Sequence, residues 1–375
     1  MRPRDQAAHV LEIDFDVIFF LVTVVLIMMG TVMILSSSFF ISKERLGSGL
    51  GLFARHLAHL VVGAVAMIAA MAVDYRRLAR GKLVYALVAC AVILLVCCFI
   101  PGIGRAGGHA KRWVDLGFFV VQASEFAKLS LVLYFAYHLS RKSRLMHDFS
   151  RGALPLLLVV AVVCLLIFAE PDFGTAATVG LWSLGMLVMG GMPLKHLLVL
   201  CGTVLPLGLV GLLWEPYRRV RIITFLDPWK DMLGSGYQII QSMVAFANGG
   251  VLGAGLGEGS QKLFYLPEPH TDFILAVVGE ETGFLGVLLV TCLFGLWIWR
   301  GFSIAQATND AFGYYAALAS VSLVGLQAII NMGVELCLLP TKGLPLPFFS
   351  YGGSTLISTM SLCGLVLSVS RRARL

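Results

Sequence analysis

The sequence predicts an all-α integral membrane protein with ten transmembrane helices and a large extracytoplasmic loop between the seventh and eighth. Three observations carry this. Of 375 residues, 58% are hydrophobic and only 13% charged, and the mean hydropathy of +0.89 lies far outside the soluble range. The long apolar runs show no strand-like alternation, and hydrocarbon offers the backbone no hydrogen-bond partner, so the spans are helices. Lys and Arg gather in short segments between the runs, as topology signals do.

The first run, about 17 to 37, is too long for a signal-peptide core and lacks a small-residue cleavage site, so it is expected to remain as a span. Runs of spanning length follow at 56–73, 83–100, 124–140, 154–170, 174–192, 196–214, 273–299, 312–338 and 353–370. The fourth opens with Glu125 and Lys128 in its first turn, and only "EPDFG" separates the fifth from the sixth. Arg76, Arg77, Arg80 and Lys82 lie between spans two and three; Arg141, Lys142, Arg144 and Arg151 between four and five; Arg371, Arg372 and Arg374 after the last. These loops are assigned to the cytoplasm, which puts both termini there and turns the loops at 101–123, 215–272 and 339–352 outward. With no internal repeat or low-complexity linker, residues 1–375 read as a single polytopic membrane domain, whose outer loop 215–272 is long enough to expect function in it.

The charge excludes less than it suggests. A net charge of +7 would suit nucleic acid, but the basic residues are dispersed in short loops, so no nucleic-acid partner is expected. The eight cysteines sit in apolar segments without metal-binding spacing and read as packing residues.

Chemistry-bearing residues concentrate on the outward side. In "YLPEPHTDFILAVVGEETGF" a polar, proline-broken loop becomes an apolar helix near Phe273, with Asp272 at its mouth and Glu280 and Glu281 about 12 Å deeper. By pattern alone, Thr271 or Asp272 is a helix cap; the functional alternative is a general base beside a long loop. Glu280 and Glu281 point about 100° apart on a helix, so they need not share a partner, and a basic residue on a neighbouring helix would pair one of them. A proton relay is the competing role. Glu125 and Lys128, three residues apart, share a helical face and can form an ion pair or meet an anionic ligand. Arg105, Lys111, Arg112, Arg218, Arg219 and Arg221 run against the inward bias of cations, and Trp113 suits an interfacial anchor or a sugar-stacking platform. The glycines at 253, 255, 257 and 259 lack the spacing and the strand of a nucleotide loop and read as close backbone packing. "TKGLPLPFFSYGGST" reads as an outer loop returning into the last span.

Several of these blocks together resemble one family, the SEDS proteins (shape, elongation, division and sporulation). The resemblance rests on "KRWVDLGFFVVQASEFAKL", "FAEPDFGTA", "RVRIITFLDPWKD", "GSGYQIIQS", "GLGEGSQKLFYLPEPHTDFILAVVGEETGF" and "PTKGLPLPFFSYGGST", in an order that spans most of the chain after residue 100. "GSGYQ", "QKLFYLPE" and "PTKGLPLP" look more like the division branch, FtsW, than the elongation branch, RodA.

The resemblance implies a peptidoglycan glycosyltransferase that polymerises lipid II during cell division. It would sit in the bacterial inner membrane with its active site outward, partnered by a class B penicillin-binding protein (an FtsI-like transpeptidase) and other division proteins. The acid of "HTDF", Asp272, is then the expected catalytic residue. Glu125, Lys128 and Trp113 join Lys111, Arg112, Arg218, Arg221, Glu268 and His270 as the expected substrate-binding set, and Glu280, Glu281, Lys342 and Ser350 are assigned structural or gating roles. The resemblance fixes no cofactor; a divalent cation such as Mg2+ is the one candidate. Rival readings are a lipid II flippase, for which Glu280 and Glu281 are the favouring feature, a RodA-like elongation polymerase and a non-enzymatic scaffold.

Overall fold

The computed structural model describes residues 15–373 except 108, 109, 116, 118, 119, 215, 263–265, 268 and 342. Among them the chain forms α1 (Val17–Leu46), α2 (Gly51–Ala72), α3 (Gly81–Cys97), α4 (Ala123–Lys142), α5 (Leu154–Ala169), α6 (Phe173–Met189), α7 (Leu194–Trp214), α8 (Pro216–Leu226), α9 (Tyr237–Gly249), α10 (Ile274–Gln306), α11 (Ala311–Glu335) and α12 (Gly353–Ser370). Each apolar run of the sequence coincides with one helix, and α8 and α9 are the half-buried helices inside the long loop. Side-chain caps set several of the starts: Asp16, Asp172 and Asp310 accept from the first-turn amides of α1, α6 and α11. Among the described residues, six helical segments are long and apolar enough to cross a membrane: Val17–Glu44, Gly51–Ala72, Phe149–Ala169, Ile274–Gln306, Ala311–Glu335 and Gly353–Ser370. The chain is a multi-pass membrane protein.

One segment departs from the all-helical expectation. Three strands, β1 (Gly104–Gly107), β2 (Ala110–Asp115) and β3 (Val120–Gln122), form an antiparallel sheet in the order β1-β2-β3. Gly117, between β2 and β3, has φ 81°, and the strand pairing satisfies the backbone groups of these segments.

The bundle has two distinct ends. At one, Ser370 Oγ accepts from Asp16 N (3.1 Å), Arg300 pairs with Asp16 (2.6 Å), Ser368 Oγ donates to the Val73 carbonyl (2.7 Å) and Arg372 pairs with Asp74 (2.8 Å). At the other, Gln122 N donates to Ser354 Oγ (3.1 Å), Arg112 Nη2 to the Pro171 carbonyl (3.1 Å), Arg221 Nη1 to the Thr341 carbonyl (3.1 Å) and Tyr351 N to the His270 carbonyl (2.7 Å).

Within α10 the helix breaks at Gly283 (φ 68°, ψ −167°), a conformation that favours glycine. There the amides of Phe284 and Leu285 find the carbonyls of Gly250 (2.9 Å) and Val251 (3.3 Å), while Ala254 N and Gly255 N donate to the carbonyls of Glu280 (2.9 Å) and Glu281 (3.0 Å). The glycine-rich stretch thus repairs the kink by backbone contact, and a Cβ on Gly249 would overlap the Gly279 carbonyl oxygen. Gly249→Ala should therefore destabilise the protein by about 1–3 kcal/mol. Gly295→Ala, with nothing within 4 Å of its Cβ, should be neutral. Thermal unfolding in detergent compares them, and equal midpoints would contradict the close-packing account.

Candidate active site

Asp272 lies one residue before the N-cap of α10, half-buried, at the end of the bundle opposite Asp16. The N-cap position falls on Phe273, which has no side-chain acceptor, so the expected cap at Thr271 or Asp272 is displaced by one residue. The acceptor for Ala276 N is instead Glu335 Oε2 at 2.8 Å, reaching across from the last residue of α11. Facing Asp272 is the loop 341–352: a Cβ built on Gly343 would stand 3.1 Å from Asp272 Oδ2, so this glycine leaves room beside the carboxylate.

That loop is suspended from one face of α11. Gln327 Nε2 donates to the Pro345 carbonyl (3.0 Å), and Asn331 Nδ2 donates to the carbonyls of Leu344 (2.7 Å) and Asp272 (3.3 Å). Together with Glu335, these side chains occupy positions i, i+4 and i+8, one stripe of an otherwise apolar helix. Sequence reasoning missed all three, although polar residues at that spacing inside the ninth apolar run are the signal that finds them. Ser350 closes the loop's own turn, its Oγ accepting from Leu346 N (2.7 Å). Beside it the Tyr351 ring stands 5.6 Å from that of buried His270. Burial holds the Tyr351 phenol above its usual range, with Arg55 pulling the other way, so it stays a neutral donor.

Glu125 and Lys128 form the expected pair, Lys128 Nζ lying 2.7 Å from Glu125 Oε1 with both side chains buried. Around them, Thr355 Oγ1 (3.1 Å) and Ser358 Oγ (2.6 Å) of α12 donate to Glu125, and Lys128 donates to Gln327 Oε1 (3.0 Å). The charge of Lys128 is therefore used inside the protein, and through Gln327 the pair reaches the same loop that borders Asp272.

Glu280 and Glu281 do have separate partners. Glu280 Oε1 accepts from Ser260 N and Oγ (both 2.9 Å), and its carboxylate also accepts from Gln261 N. Glu281 Oε1 takes Lys262 Nζ (2.6 Å) and Ser36 Oγ of α1 (2.5 Å), while Oε2 accepts from Gly257 N (3.1 Å). The basic partner expected on a neighbouring helix is instead Lys262, from the loop that folds back onto α10. One acid holds the loop's backbone and the other balances its buried lysine.

The outer cations are dispersed. Arg105 meets Asp115 at 3.5 Å within the sheet; Arg112 Nε lies 3.5 Å from Asp172; Arg221 holds Thr341. Trp113 is half-buried on β2, between Arg105 on β1 and Gln122 on β3. Glu268 and Lys342 lie outside the described residues, as do the side chains of Lys111 and Arg218. The described residues gather no three His, Cys, Asp or Glu ligands for the divalent cation expected as a candidate. An apolar groove of about 480 Å³ runs between α6, α7 and α11, lined by residues such as Leu181, Trp182, Val188, Leu197 and Leu326.

Comparison with known proteins bears on this arrangement. Residues 16–375 match the FtsW/RodA/SpoVE family, described as "Cell cycle protein". The chain is 42% identical over 360 residues to a probable peptidoglycan glycosyltransferase FtsW of Geobacter metallireducens, covering 96% of each chain. It is 38% identical over 360 residues to the stage V sporulation protein E of Bacillus subtilis, covering 96% of this chain and 98% of the other. Its fold matches a chain from a peptidoglycan synthase complex, reported for structural coordination of polymerization and crosslinking, with a TM-score of 0.77 at 31% identity over 95% of this chain and 98% of that one. It also matches the rod shape determining protein RodA of Thermus thermophilus, with a TM-score of 0.68 at 26% identity over 97% and 99%.

The Glu125–Lys128 pair yields a stability test. Lys128→Met alone strands a buried carboxylate and should cost about 3–5 kcal/mol, whereas the Glu125→Gln/Lys128→Met double variant should recover part of that loss. Unfolding midpoints of the three proteins measure it; a double variant no better than Lys128→Met would remove the ion pair as the cause.

Proposed function

The chain belongs to the FtsW/RodA/SpoVE family, the SEDS proteins, and we propose that it is a peptidoglycan glycosyltransferase of the FtsW-like division branch, with Asp272 as its general base. The observation that carries the reading is a half-buried carboxylate at one end of an apolar bundle, beside a loop that α11 holds by its carbonyls. A lipid-anchored sugar presents its head group at such a depth. Asp272 takes the proton of the 4-hydroxyl of an acceptor N-acetylglucosamine, and the oxygen attacks the anomeric carbon of a lipid-linked N-acetylmuramic acid. The bond from that carbon to the diphosphate breaks, and its electron pair leaves on undecaprenyl diphosphate. One base suffices, because a diphosphate departs without the second acid that an alkoxide leaving group requires.

Arg221, tied to the loop through Thr341, is a described cation placed to offset the charge that grows on the diphosphate. The apolar groove along α11 offers a surface for the isoprenoid chain. On this reading the ten long helices each cross the membrane, both termini are cytoplasmic and the Asp272 end faces outward as part of one membrane domain. The partner is a class B penicillin-binding protein that crosslinks the glycan. The flippase alternative rested on Glu280 and Glu281, and both carboxylates are taken up by the loop 257–262 and Ser36.

The test is polymerisation of fluorescent lipid II by the purified protein with its cognate class B penicillin-binding protein. Asp272→Asn should lower glycan formation by about 10²–10⁴-fold at matched folding and complex formation. Equal product from wild type and variant would return Asp272 to a structural role; no product from either, in an assay shown to work, would favour a transporter or scaffold.

A further inference from the structure

A patch of exposed apolar side chains lies on the outer loop, unused by the reaction above. On α8 the residues that face away from the protein are Arg219, Val220, Ile223 and Leu226, which at 100° per residue fall within an arc of about 120°. The turn that follows, Pro228–Asp231, and the residues just after it add Trp229, Met232 and Leu233. Leu226 is 76% and Leu233 92% exposed, so nothing among the described residues covers them. The rest of the helix is tied down: Arg221 Nη1 donates to the Thr341 carbonyl (3.1 Å), and the hydroxyl of buried Thr224 meets Ser235 Oγ at 2.6 Å.

Two attachments constrain the depth of this face. α7 ends at Trp214 and α8 begins at Pro216, so at no more than about 3.6 Å per residue the two ends lie within about 7 Å of each other. Halfway along α8, Arg221 reaches the loop whose Gly343 borders Asp272. A helix of 11 residues, about 16 Å long and held at both points, stays near the level of Asp272 and does not lift its apolar face clear of the bilayer surface. α7 itself is peripheral, with Leu198, Val199, Val204 and Val210 exposed along its length, so α8 leaves the bundle at an edge that meets lipid. The stretch 216–233 carries four basic residues against two acidic ones. Apolar side chains, a tryptophan and an outward arginine together match a headgroup layer, with anionic phosphates above and acyl chains below.

We propose that the face of α8 from Arg219 to Leu226, with Trp229 and Leu233 after it, lies in the headgroup layer of the outer leaflet and binds anionic phospholipid. Arg219 meets the phosphate, and the apolar side chains enter the upper acyl region. The inference rests on the reading above only in that α7 crosses the membrane and the Asp272 end faces outward. Through Arg221 and Thr341 the leaflet then sets the level of the loop beside Asp272.

The test uses the full chain in nanodiscs, alone and in complex with its class B penicillin-binding protein. An environment-sensitive fluorescent amino acid replaces Leu226, Leu233 or, midway along α7, Val204; all three side chains are exposed, so the replacements leave the packing intact. Lipid brominated near the top of the acyl chain should quench the probe at Leu226 and at Leu233, with and without the partner, while aqueous iodide should not. At equal mole fraction, brominated phosphatidylglycerol should quench the Leu226 probe about twofold or more over brominated phosphatidylcholine, and Arg219→Gln should remove that preference. Iodide quenching at both positions without lipid quenching overturns the proposal. So does loss of lipid quenching when the partner binds, which would give the face to that protein. Equal quenching by the two lipids, or a preference that survives Arg219→Gln, overturns the binding of anionic lipid by the arginine. Iodide quenching of the Val204 probe, with none by deep-chain bromine, would overturn the crossing of α7, while lipid quenching at Leu226 and Leu233 would still support the interfacial face.

Discussion

A carbonyl or carboxylate that enters an apolar bundle must find its donor within the protein, and the polar stripe of α11 is where this chain meets that requirement. Gln327 and Asn331, one turn apart, take the carbonyls of Pro345, Leu344 and Asp272, and Glu335 takes an amide of the first turn of α10. The loop 341–352 and the start of α10 are thereby fixed to the same rigid helix. Asp272 inherits its place from that fixation, and the buried Glu125–Lys128 pair joins it through Gln327. A site built on a central helix is held more closely than one borne by loops alone.

The same requirement explains why α10 carries two adjacent acids. A loop that folds back against a kinked helix brings in backbone amides and one buried lysine, which differ in charge and direction. Glu280 answers the amides of Ser260 and Gln261; Glu281 answers Lys262 and Ser36. Since successive helical residues diverge by about 100°, one acid could not serve both. The glycines complete the arrangement by letting backbone meet backbone, as Gly253 does where a Cβ would overlap the Glu281 carbonyl. These acids work as anchors for the segment that leads into Asp272.

Polymerisation of a lipid-linked sugar suits this architecture. The chemistry asks for one base at the depth of a head group, a cationic border for a departing diphosphate and an apolar surface for a long chain. On the proposed reading these are Asp272, Arg221 of α8 and the groove between α6, α7 and α11. Lys128, which the sequence offered as an ion-pair partner of Glu125 or a ligand for an anion, is paired with Glu125 in the interior.

By itself the sequence determined the membrane character, the course of the helices and the family, because hydropathy and contiguous motifs are written along the chain. It also marked Asp272 and the i,i+3 pairing of Glu125 with Lys128, both local patterns. Only the tertiary structure decided that β1, β2 and β3 form a sheet, that Lys262 is the partner of Glu281, and that Glu335 accepts from Ala276 N in the first turn of α10. Those facts depend on which segments from distant parts of the chain lie together. A buried polar group in an apolar run announces that it has a partner, but the identity of that partner is set by packing.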